Sequence, residues 1–204
     1  MLAAWRRGGF VDSVIVPVFM MISALPAFFL ALIGLYFFGL KLGWFPIQHA
    51  YGNDVIPGWN WAFIESAFRH SQLPIIVIVL VYTGGWVLNM RTVMINTISE
   101  DYVAMANAKG LRDRRVMATY AGRNAILPPL NGFAALFASA VGGLVFIEFI
   151  FSYPGAGYTL QSAVLGNDYP LAQAILVVLS VTVIFANLIM DLLNFILDPR
   201  LRSS

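Results

Sequence analysis

Residues Glu100 to Leu130 read EDYVAMANAKGLRDRRVMATYAGRNAILPPL, and this charged stretch decides how the rest of the chain is interpreted. It occurs in a chain of 204 residues of which 60% are hydrophobic and only 11% charged. Soluble domains carry about 25% charged residues, so the composition indicates a protein whose solvent is the lipid bilayer. The absence of cysteine excludes a disulfide framework. The charged stretch lies between apolar runs of membrane length.

Four apolar runs are long enough to cross a bilayer, which takes about 20 residues of helix. They comprise residues 13–40, 71–90, 125–147 and 169–190, with a cytoplasmic loop over residues 96–124 between the second and third. One such run alone could be a buried helix of a soluble core, but four in sequence argue against that. The predicted fold class is an all-α membrane protein with about four transmembrane helices, forming one domain over residues 1–204.

Prolines and a serine predict details of the first two runs. Pro17 and Pro26 mark expected kinks in the first run, since proline removes a backbone donor. Ser71 is a candidate cap for the second run, with Pro74 in its first turn.

The basic residues predict the orientation of the spans, because Lys and Arg accumulate on the cytoplasmic side. Lys41 and Arg69 fall on one side of the predicted spans. The other ten fall on the opposite side: Arg6, Arg7, Arg91, Lys109, Arg112, Arg114, Arg115, Arg123, Arg200 and Arg202. We therefore expect both termini and the charged stretch to be cytoplasmic. Aromatic residues crowd the first outer loop, as in an interfacial belt: Trp44, Phe45, Trp59, Trp61 and Phe63.

The charged stretch is predicted to fold as two short helices joined by a turn. Thr97 or Ser99 can cap the first helix, and Gly110 can end it because glycine accepts positive φ. Asp113 can cap the second helix. Small residues near the turn let another surface approach the backbone. A basic loop that only fixes topology or touches anionic lipid is the alternative, but the ordered tip favours a docking surface.

Several motifs of the chain resemble one family of transporters. They are Asp101-Tyr102-Val103, Ala106-x-Ala108-Lys109-Gly110-Leu111, Arg114-Arg115-Val116, Arg123-Asn124-Ala125-x-Leu127-Pro128, Glu148-Phe149-x-Phe151-Ser152-Tyr153-Pro154-Gly155-x-Gly157 and Asp168-Tyr169-Pro170. Together they resemble the inner-membrane permeases of ABC importers, in the B-type branch of the dipeptide, oligopeptide and nickel permeases. The family usually has six spans, so we expect the first two to be lacking from this sequence.

The resemblance implies a type I importer permease core whose cytoplasmic elbow is a coupling helix docking on an ATPase. The residues it assigns to coupling are Asp101, Tyr102, Ala104, Met105, Ala106, Ala108, Lys109, Gly110, Leu111, Arg114 and Arg115. The broader importer signature has Glu-Ala-Ala where this chain has Ala104, Met105 and Ala106, so a glutamate contact to the ATPase does not carry over. The implied cargo is a peptide or a related small solute.

The resemblance also implies the partners and the location. The partners are a second, C-type permease, two cytoplasmic ATPase subunits, an extracytoplasmic solute-binding protein and the lipid bilayer, without nucleic acid. The location is the bacterial or archaeal plasma (inner) membrane, crossed several times.

We expect no catalytic, cofactor or metal site in this chain. It contains no G-x-x-x-x-G-K-[ST] motif to cradle phosphates, so ATP and Mg are expected in the partner ATPases and the chain is not an enzyme. It has no H-E-x-x-H motif, and His49 and His70 are far apart in the sequence.

Three further features of the third run carry predictions. Ala135, Ser139 and Gly143 form a row of small residues at i, i+4 spacing, typical of close helix packing in lipid. Glu148 ends the run, and we favour a structural cap over a solute contact. Asn131 is a candidate pathway residue within the run.

Two other functions remain open. A gradient-driven secondary transporter predicts paired ionisable residues deep inside its spans. These spans carry only neutral polar residues at mid-depth: Asn89, Asn131, Ser180, Thr182 and Asn187. A membrane scaffold that recruits a cytosolic partner without transport is the second alternative, and the sequence does not separate it from a permease.

Overall fold

The computed structural model describes residues 2–5, 8–126, 129 and 144–197, with the backbone alone at residues 2, 190, 191 and 193–197. These ranges are helical or irregular and contain no β-strand. The helices are, in chain order, α1 (Leu2–Trp5), α2 (Val11–Ala24), α3 (Ala27–Lys41), α4 (Trp61–Ile98), α5 (Asp101–Ala108), α6 (residues 113–125), α7 (residues 144–150), α8 (Ala156–Leu165) and α9 (Tyr169–Leu197). The predicted all-α class is confirmed over the described residues.

Two of these helices are long and apolar enough to cross a membrane. They are α4, with 38 residues, and α9 over Tyr169–Ile189. The pair α2 and α3 adds a third span if it is one broken span, with the break at the predicted site beside Pro26. Pro17 lies within α2, directly after the π-helical turn Val11–Ile15. Most of the predicted run 125–147 lies outside the described residues, so the expected count of four spans stays a prediction.

Helix α4 is much longer than the apolar run that predicts it. It begins ten residues earlier, where the Phe63 N–H donates to Asn60 Oδ1 at 2.8 Å and Asn60 caps the helix. The predicted cap at Ser71 is wrong, because its hydroxyl donates to the Phe68 carbonyl inside the helix at 2.9 Å. Pro74 likewise lies in the helix interior and not in a first turn. At about 57 Å, α4 exceeds the hydrocarbon thickness of a bilayer, about 30 Å.

The chain divides into two compact units, each with its own core. The first unit comprises Met1–Ala24 and Tyr82–Phe133. Its buried core residues come from α1, the end of α4, α5 and α6: Ala4, Met94, Val103, Ala106, Val116, Ala121 and Ala125. Helix α5 therefore packs on the carboxyl-terminal end of α4.

The second unit comprises Leu25–Val81 and Ala134–Ser204. Its core combines residues of α3, α4 and the end of α7: Ala31, Leu73, Val77, Ile147 and Phe151. Helix α8 packs against α9. Helix α9 exposes apolar residues along its length, among them Val177, Ile184 and Phe185 at 60% or more. Soluble monomers rarely expose a continuous apolar surface of this kind. Helix α9 therefore has the surface of a helix that faces lipid or another helix.

Candidate functional site

Helix α5 starts without a side-chain cap. Glu100 has extended backbone (φ −73°, ψ 145°) and Asp101 lies in the first turn, where the helix dipole favours an acid. The predicted caps, Thr97 and Ser99, are wrong. Both hydroxyls instead donate to carbonyls of the last turns of α4, at 2.9 and 2.7 Å. The two hydroxyls therefore bond to carbonyl groups of α4, and the start of α5 has no side-chain cap.

Helix α5 ends at Ala108, and Gly110 supplies the left-handed residue that terminates it, as predicted. Gly110 has φ +69°, its N–H donates to the Asn107 carbonyl at 2.9 Å, and the Leu111 N–H donates to the Ala106 carbonyl at 3.4 Å. This pair of bonds is the Schellman arrangement, in which a left-handed residue closes the helix. A Cβ at Gly110 would meet nothing within 4 Å. The backbone conformation alone therefore favours glycine here.

The two faces of α5 differ in burial. Val103 (0% exposed) and Ala106 (2%) lie in the core of the first unit, with Leu111 partly buried beside them. Ala106 is among the residues predicted to dock a partner, but its side chain faces this chain's own core. The other predicted coupling residues are exposed: Asp101, Tyr102, Ala104, Met105, Ala108, Lys109, Gly110, Arg114 and Arg115. The free face of α5 is therefore available to a second protein.

Helix α6 adds charge beside this face. It follows an extended Arg112 (ψ 135°), and Asp113 is its first residue, so the predicted capping role of Asp113 is wrong. Val116, which is 0% exposed, anchors α6 in the core of the first unit. The basic residues of the region are all exposed: Lys109, Arg112, Arg114, Arg115 and Arg123. The exposed surface of α5 thus combines Tyr102 and Met105, 38% and 59% exposed, with a basic surround.

An ion pair in the first unit joins α2 to α4. Arg91 Nε lies 2.6 Å from Asp12 Oδ1 and Arg91 Nη2 lies 3.3 Å from Asp12 Oδ2. The Gly8 N–H also donates to Asp12 Oδ2, at 3.1 Å. Sequence reasoning used Arg91 only for orientation and missed this pair. The available signal was a single acid at the start of an apolar run and a single base at the end of the next.

The turn after α7 is built around Glu148. The Tyr153 N–H donates to the Glu148 carbonyl at 2.7 Å and the Ser152 N–H to the Phe149 carbonyl at 3.1 Å. Ser152 takes the left-handed position, with φ +47°, where glycine is usual. The Phe151 carbonyl accepts the His49 N–H at 2.9 Å. The Phe-Ser-Tyr-Pro-Gly motif is therefore a tight helix end tied to the loop before α4.

The side chain of Glu148 reaches the start of α8. Its Oε2 accepts the N–H groups of Gly157 and Tyr158, at 2.8 and 3.2 Å. These donors belong to the first turn of α8, where a carboxylate is favoured by hydrogen bonding and by the helix dipole. A Cβ at Gly155 would overlap the Glu148 carboxylate, and one at Gly157 would overlap the backbone of Val145. Both glycines of the motif are thus explained by close approach.

Asp168 begins α9 in a similar way. Its Oδ1 accepts the Leu171 N–H at 3.1 Å, and Asn167 before it has φ +57°. The Asp-Tyr-Pro motif is therefore a helix start, with Pro170 in the first turn.

His49 and His70 lie in different settings. His49 lines an open cavity of about 220 Å³ with Tyr51, Asn53, Ser152 and Tyr158 among its neighbours. His70 lies inside α4, where Nδ1 is 2.7 Å from the Ser66 carbonyl oxygen. Across the described residues, no three His, Cys, Asp or Glu side chains are grouped as a metal site. The packing row Ala135, Ser139 and Gly143 and the candidate pathway residue Asn131 lie outside the described residues.

Membrane-length apolar helices and a short helix packed on the end of one of them define an integral membrane protein of the helical class. The chain belongs to the family of binding-protein-dependent transport system inner membrane components, whose sequence model matches residues 1–203. The resemblance found from the motifs is thereby confirmed.

Proteins similar to this chain include several permeases. A putative peptide permease protein of Brucella suis is 34% identical over 201 residues, covering 98% of this chain and 61% of the relative. The di/tripeptide transport system permease protein DppB of Pseudomonas aeruginosa is 32% identical over 214 residues, covering 98% and 64%. The metal-staphylopine import system permease protein CntB of Staphylococcus aureus strain Mu50 is 33% identical over 201 residues, covering 98% and 60%. The chain spans about three fifths of the length of these curated relatives.

Proposed function

We propose that this chain is a transmembrane permease subunit of an ABC importer, which moves peptides or a related small solute across the plasma membrane. Family membership and the membrane-length helices support this proposal. The observation that carries it is the two-sided character of α5. Val103 buries one face of α5 in the chain's own core, while the other face exposes Met105 beside basic side chains.

Helix α5 is suited to act as the coupling helix. Val103 and Ala106 pack in one buried cluster with Met94 of α4, and both Met94 and Val103 are 0% exposed. Buried protein interiors transmit strain, so pushing α5 also pushes the end of α4. Because α4 is itself of membrane length, the displacement reaches the membrane-embedded part of the chain.

ATP would drive the cycle through partner subunits. Two cytoplasmic ATPase subunits would bind ATP and Mg, close around it, and move α5. Closure must favour one state of the permease over the other by several kcal/mol, about 5.5 to reverse a 1:99 ratio. The chain itself supplies the docking face and the moving helices and performs no chemistry.

Family membership supports two further partners. A C-type permease would complete the pathway, and an extracytoplasmic binding protein would deliver the solute. Relatives named for peptides, di- and tripeptides and metal-staphylopine support a peptide or a related small solute as the cargo. By the positive-inside rule, the exposed basic side chains around α5 support a cytoplasmic position for this helix. We propose the same side for both termini, and one transmembrane domain over residues 1–204.

Co-purification with the ATPase tests the proposal. Ala108→Trp and Met105→Glu alter the exposed face of α5 without entering the core, and each is expected to weaken ATPase retention about tenfold or more, the equivalent of about 1.4 kcal/mol. Ala62→Trp changes an exposed alanine at the far end of α4 and serves as the matched control. Ala106→Trp is unsuitable, because Ala106 is buried and the change would disturb the fold.

Reconstitution separates the permease from its alternatives. A permease of this class takes up solute into proteoliposomes only with ATP on the α5 side. A scaffold retains the ATPase without uptake, and a gradient-driven transporter takes up solute without ATP. Retention of the ATPase unchanged by both Ala108→Trp and Met105→Glu would overturn the docking role of α5.

A further inference from the structure

The ion pair between Asp12 and Arg91 has a geometry that fixes direction as well as distance. Two nitrogen–oxygen contacts, at 2.6 and 3.3 Å, join the guanidinium to the carboxylate. Paired contacts of this kind hold the two planar groups in one relative orientation. The side chain of Asp12 is 10% exposed and that of Arg91 30%, so water screens the pair less than it would a surface pair.

The pair joins the same two elements that hold α5. Arg91 lies one turn before Met94 on α4, and Met94 is buried against Val103 of α5. The amino-terminal element also reaches this cluster, because Ala4 is buried in it at 1% exposure. Asp12 lies in the first turn of α2, beyond Ala4 in the chain. Helix α5 therefore rests on a base whose two parts, the amino-terminal segment and the end of α4, are joined by this ion pair.

We propose that Asp12 and Arg91 are positioning residues for coupling, which make α2 and the end of α4 move together when α5 is displaced. The apolar contacts of the cluster are non-directional and allow helices to slide or rotate past each other, whereas the ion pair constrains both. Without it, α5 still docks and α4 still moves, but α2 follows incompletely. This inference rests on the proposed function, in which a partner displaces α5.

Distances between spin labels on α2 and α4 test the inference directly. The given sequence contains no cysteine, so Met21→Cys on α2 and Leu88→Cys on α4, both exposed, supply two thiols for labelling before the chain is combined with its partner subunits. Pulsed electron resonance on the assembled transporter would be recorded in the resting state and after trapping with ATP and vanadate. With the ion pair intact, we expect one narrow distance that is the same in both states. In Asp12→Asn or Arg91→Gln we expect the distance to broaden and to shift on trapping.

A charge reversal supplies the specific control. Asp12→Arg combined with Arg91→Asp is expected to restore the narrow, state-independent distance that each single change loses. If the reversed pair fails to assemble, Arg91→Lys, which keeps the charge, is expected to recover more than Arg91→Gln. A merely structural role would lower the thermal midpoint while leaving the distance independent of state.

The outcomes separate this inference from the function on which it rests. Failure of the unsubstituted chain to co-purify with an ATPase contradicts the proposed function. Co-purification together with a distance that changes on trapping in the unsubstituted chain overturns the inference alone. So does a narrow, unchanged distance in both single variants, or a single-variant defect that neither the reversal nor Arg91→Lys reduces.

Discussion

Gly84 and Gly85 are neighbours in α4 but have opposite surroundings. A Cβ built on Gly84 would overlap the Ser23 hydroxyl and the Phe19 carbonyl oxygen of α2, and would lie 2.7 Å from Ser23 Cβ. A Cβ on Gly85 would meet nothing within 4 Å. Gly84→Ala and Gly85→Ala therefore place the same methyl group on adjacent residues of one helix, one at the contact with α2 and one away from it.

The structure gives the size of the expected difference. The new methyl at Gly84 falls about 0.7 Å short of an ordinary 3.4 Å contact with Ser23 Cβ, and the Phe19 carbonyl oxygen belongs to the backbone and cannot rotate away. Helix α2 must retreat along this contact, and overpacking of this kind costs about 1–3 kcal/mol. Gly85→Ala should instead be neutral or stabilise by up to about 1 kcal/mol, because alanine is the better helix former.

Thermal unfolding of the detergent-solubilised chain measures this difference. At about 2–4 °C per kcal/mol for a chain of this size, Gly84→Ala should lower the midpoint by about 2–12 °C, while Gly85→Ala leaves it unchanged or raises it. Adding Ser23→Gly to Gly84→Ala removes two of the three overlapping atoms and should restore part of the loss. Equal midpoints for Gly84→Ala and Gly85→Ala would refute the close contact of α2 with α4.

Substitutions at Gly110, Glu148 and Gly157 test the turns and caps by the same unfolding assay, with Glu148→Gln and Gly58→Ala for comparison. Gly110→Ala puts a side chain on a left-handed residue (φ +69°) and should cost about 1–2 kcal/mol; no loss would mean that α5 does not end in a left-handed turn. Glu148→Ala removes the acceptor of two N–H groups of α8 and should cost about 1–2 kcal/mol of stability. Glu148→Gln should cost less, because its side-chain carbonyl still accepts. Equal losses of stability in the two variants would argue against these hydrogen bonds. Gly157→Ala must displace the Val145 backbone and should cost about 1–3 kcal/mol. Gly58→Ala, whose neighbour is a side chain at 3.4 Å, should be tolerated. A larger loss for Gly58→Ala than for Gly157→Ala would contradict the close contact of α8 with Val145.

The sequence predicts the apolar helices well but their ends poorly. Apolar length alone indicates a span, and this suffices for α4 and α9. The start of α4 is missed because its first ten residues include Glu65 and Arg69, which interrupt the apolar run without interrupting the helix. Backbone hydrogen bonding continues wherever side chains permit it, so polarity is a poor guide to where such a helix begins.

A turn or cap is predicted correctly when few residue types tolerate the backbone conformation that it requires. Gly110 is predicted correctly because few residues tolerate its conformation. Thr97 and Ser99 both have the residue type of a cap, but their hydroxyls donate to carbonyls four and three residues earlier in the chain, which is the local alternative open to Ser and Thr. Residue type therefore identifies two candidate caps but does not show which carbonyl or N–H group each hydroxyl contacts.

The contacts that join distant parts of the chain have only a weak signal in the sequence. Asp12 and Arg91 are separated by 79 residues, and nothing in either neighbourhood specifies the other. Glu148 and Gly157 are close in sequence and belong to one motif, yet the motif does not reveal that the carboxylate reaches the helix start. Likewise the burial of Ala106 depends on Met94, which only the folded first unit brings beside it.

Cysteine cross-linking from the exposed end of α5 tests the central claim most directly. Because the chain lacks cysteine, Lys109→Cys carries its single reactive thiol. A short cross-linker with a maleimide for this thiol and an amine-reactive ester for a lysine of the partner would be applied to membranes in which the transporter is assembled. We predict a cross-link to the ATPase subunit from Lys109→Cys and none from Ala62→Cys at the far end of α4. A cross-link from Ala62→Cys with none from Lys109→Cys would contradict α5 as the element on which the ATPase acts.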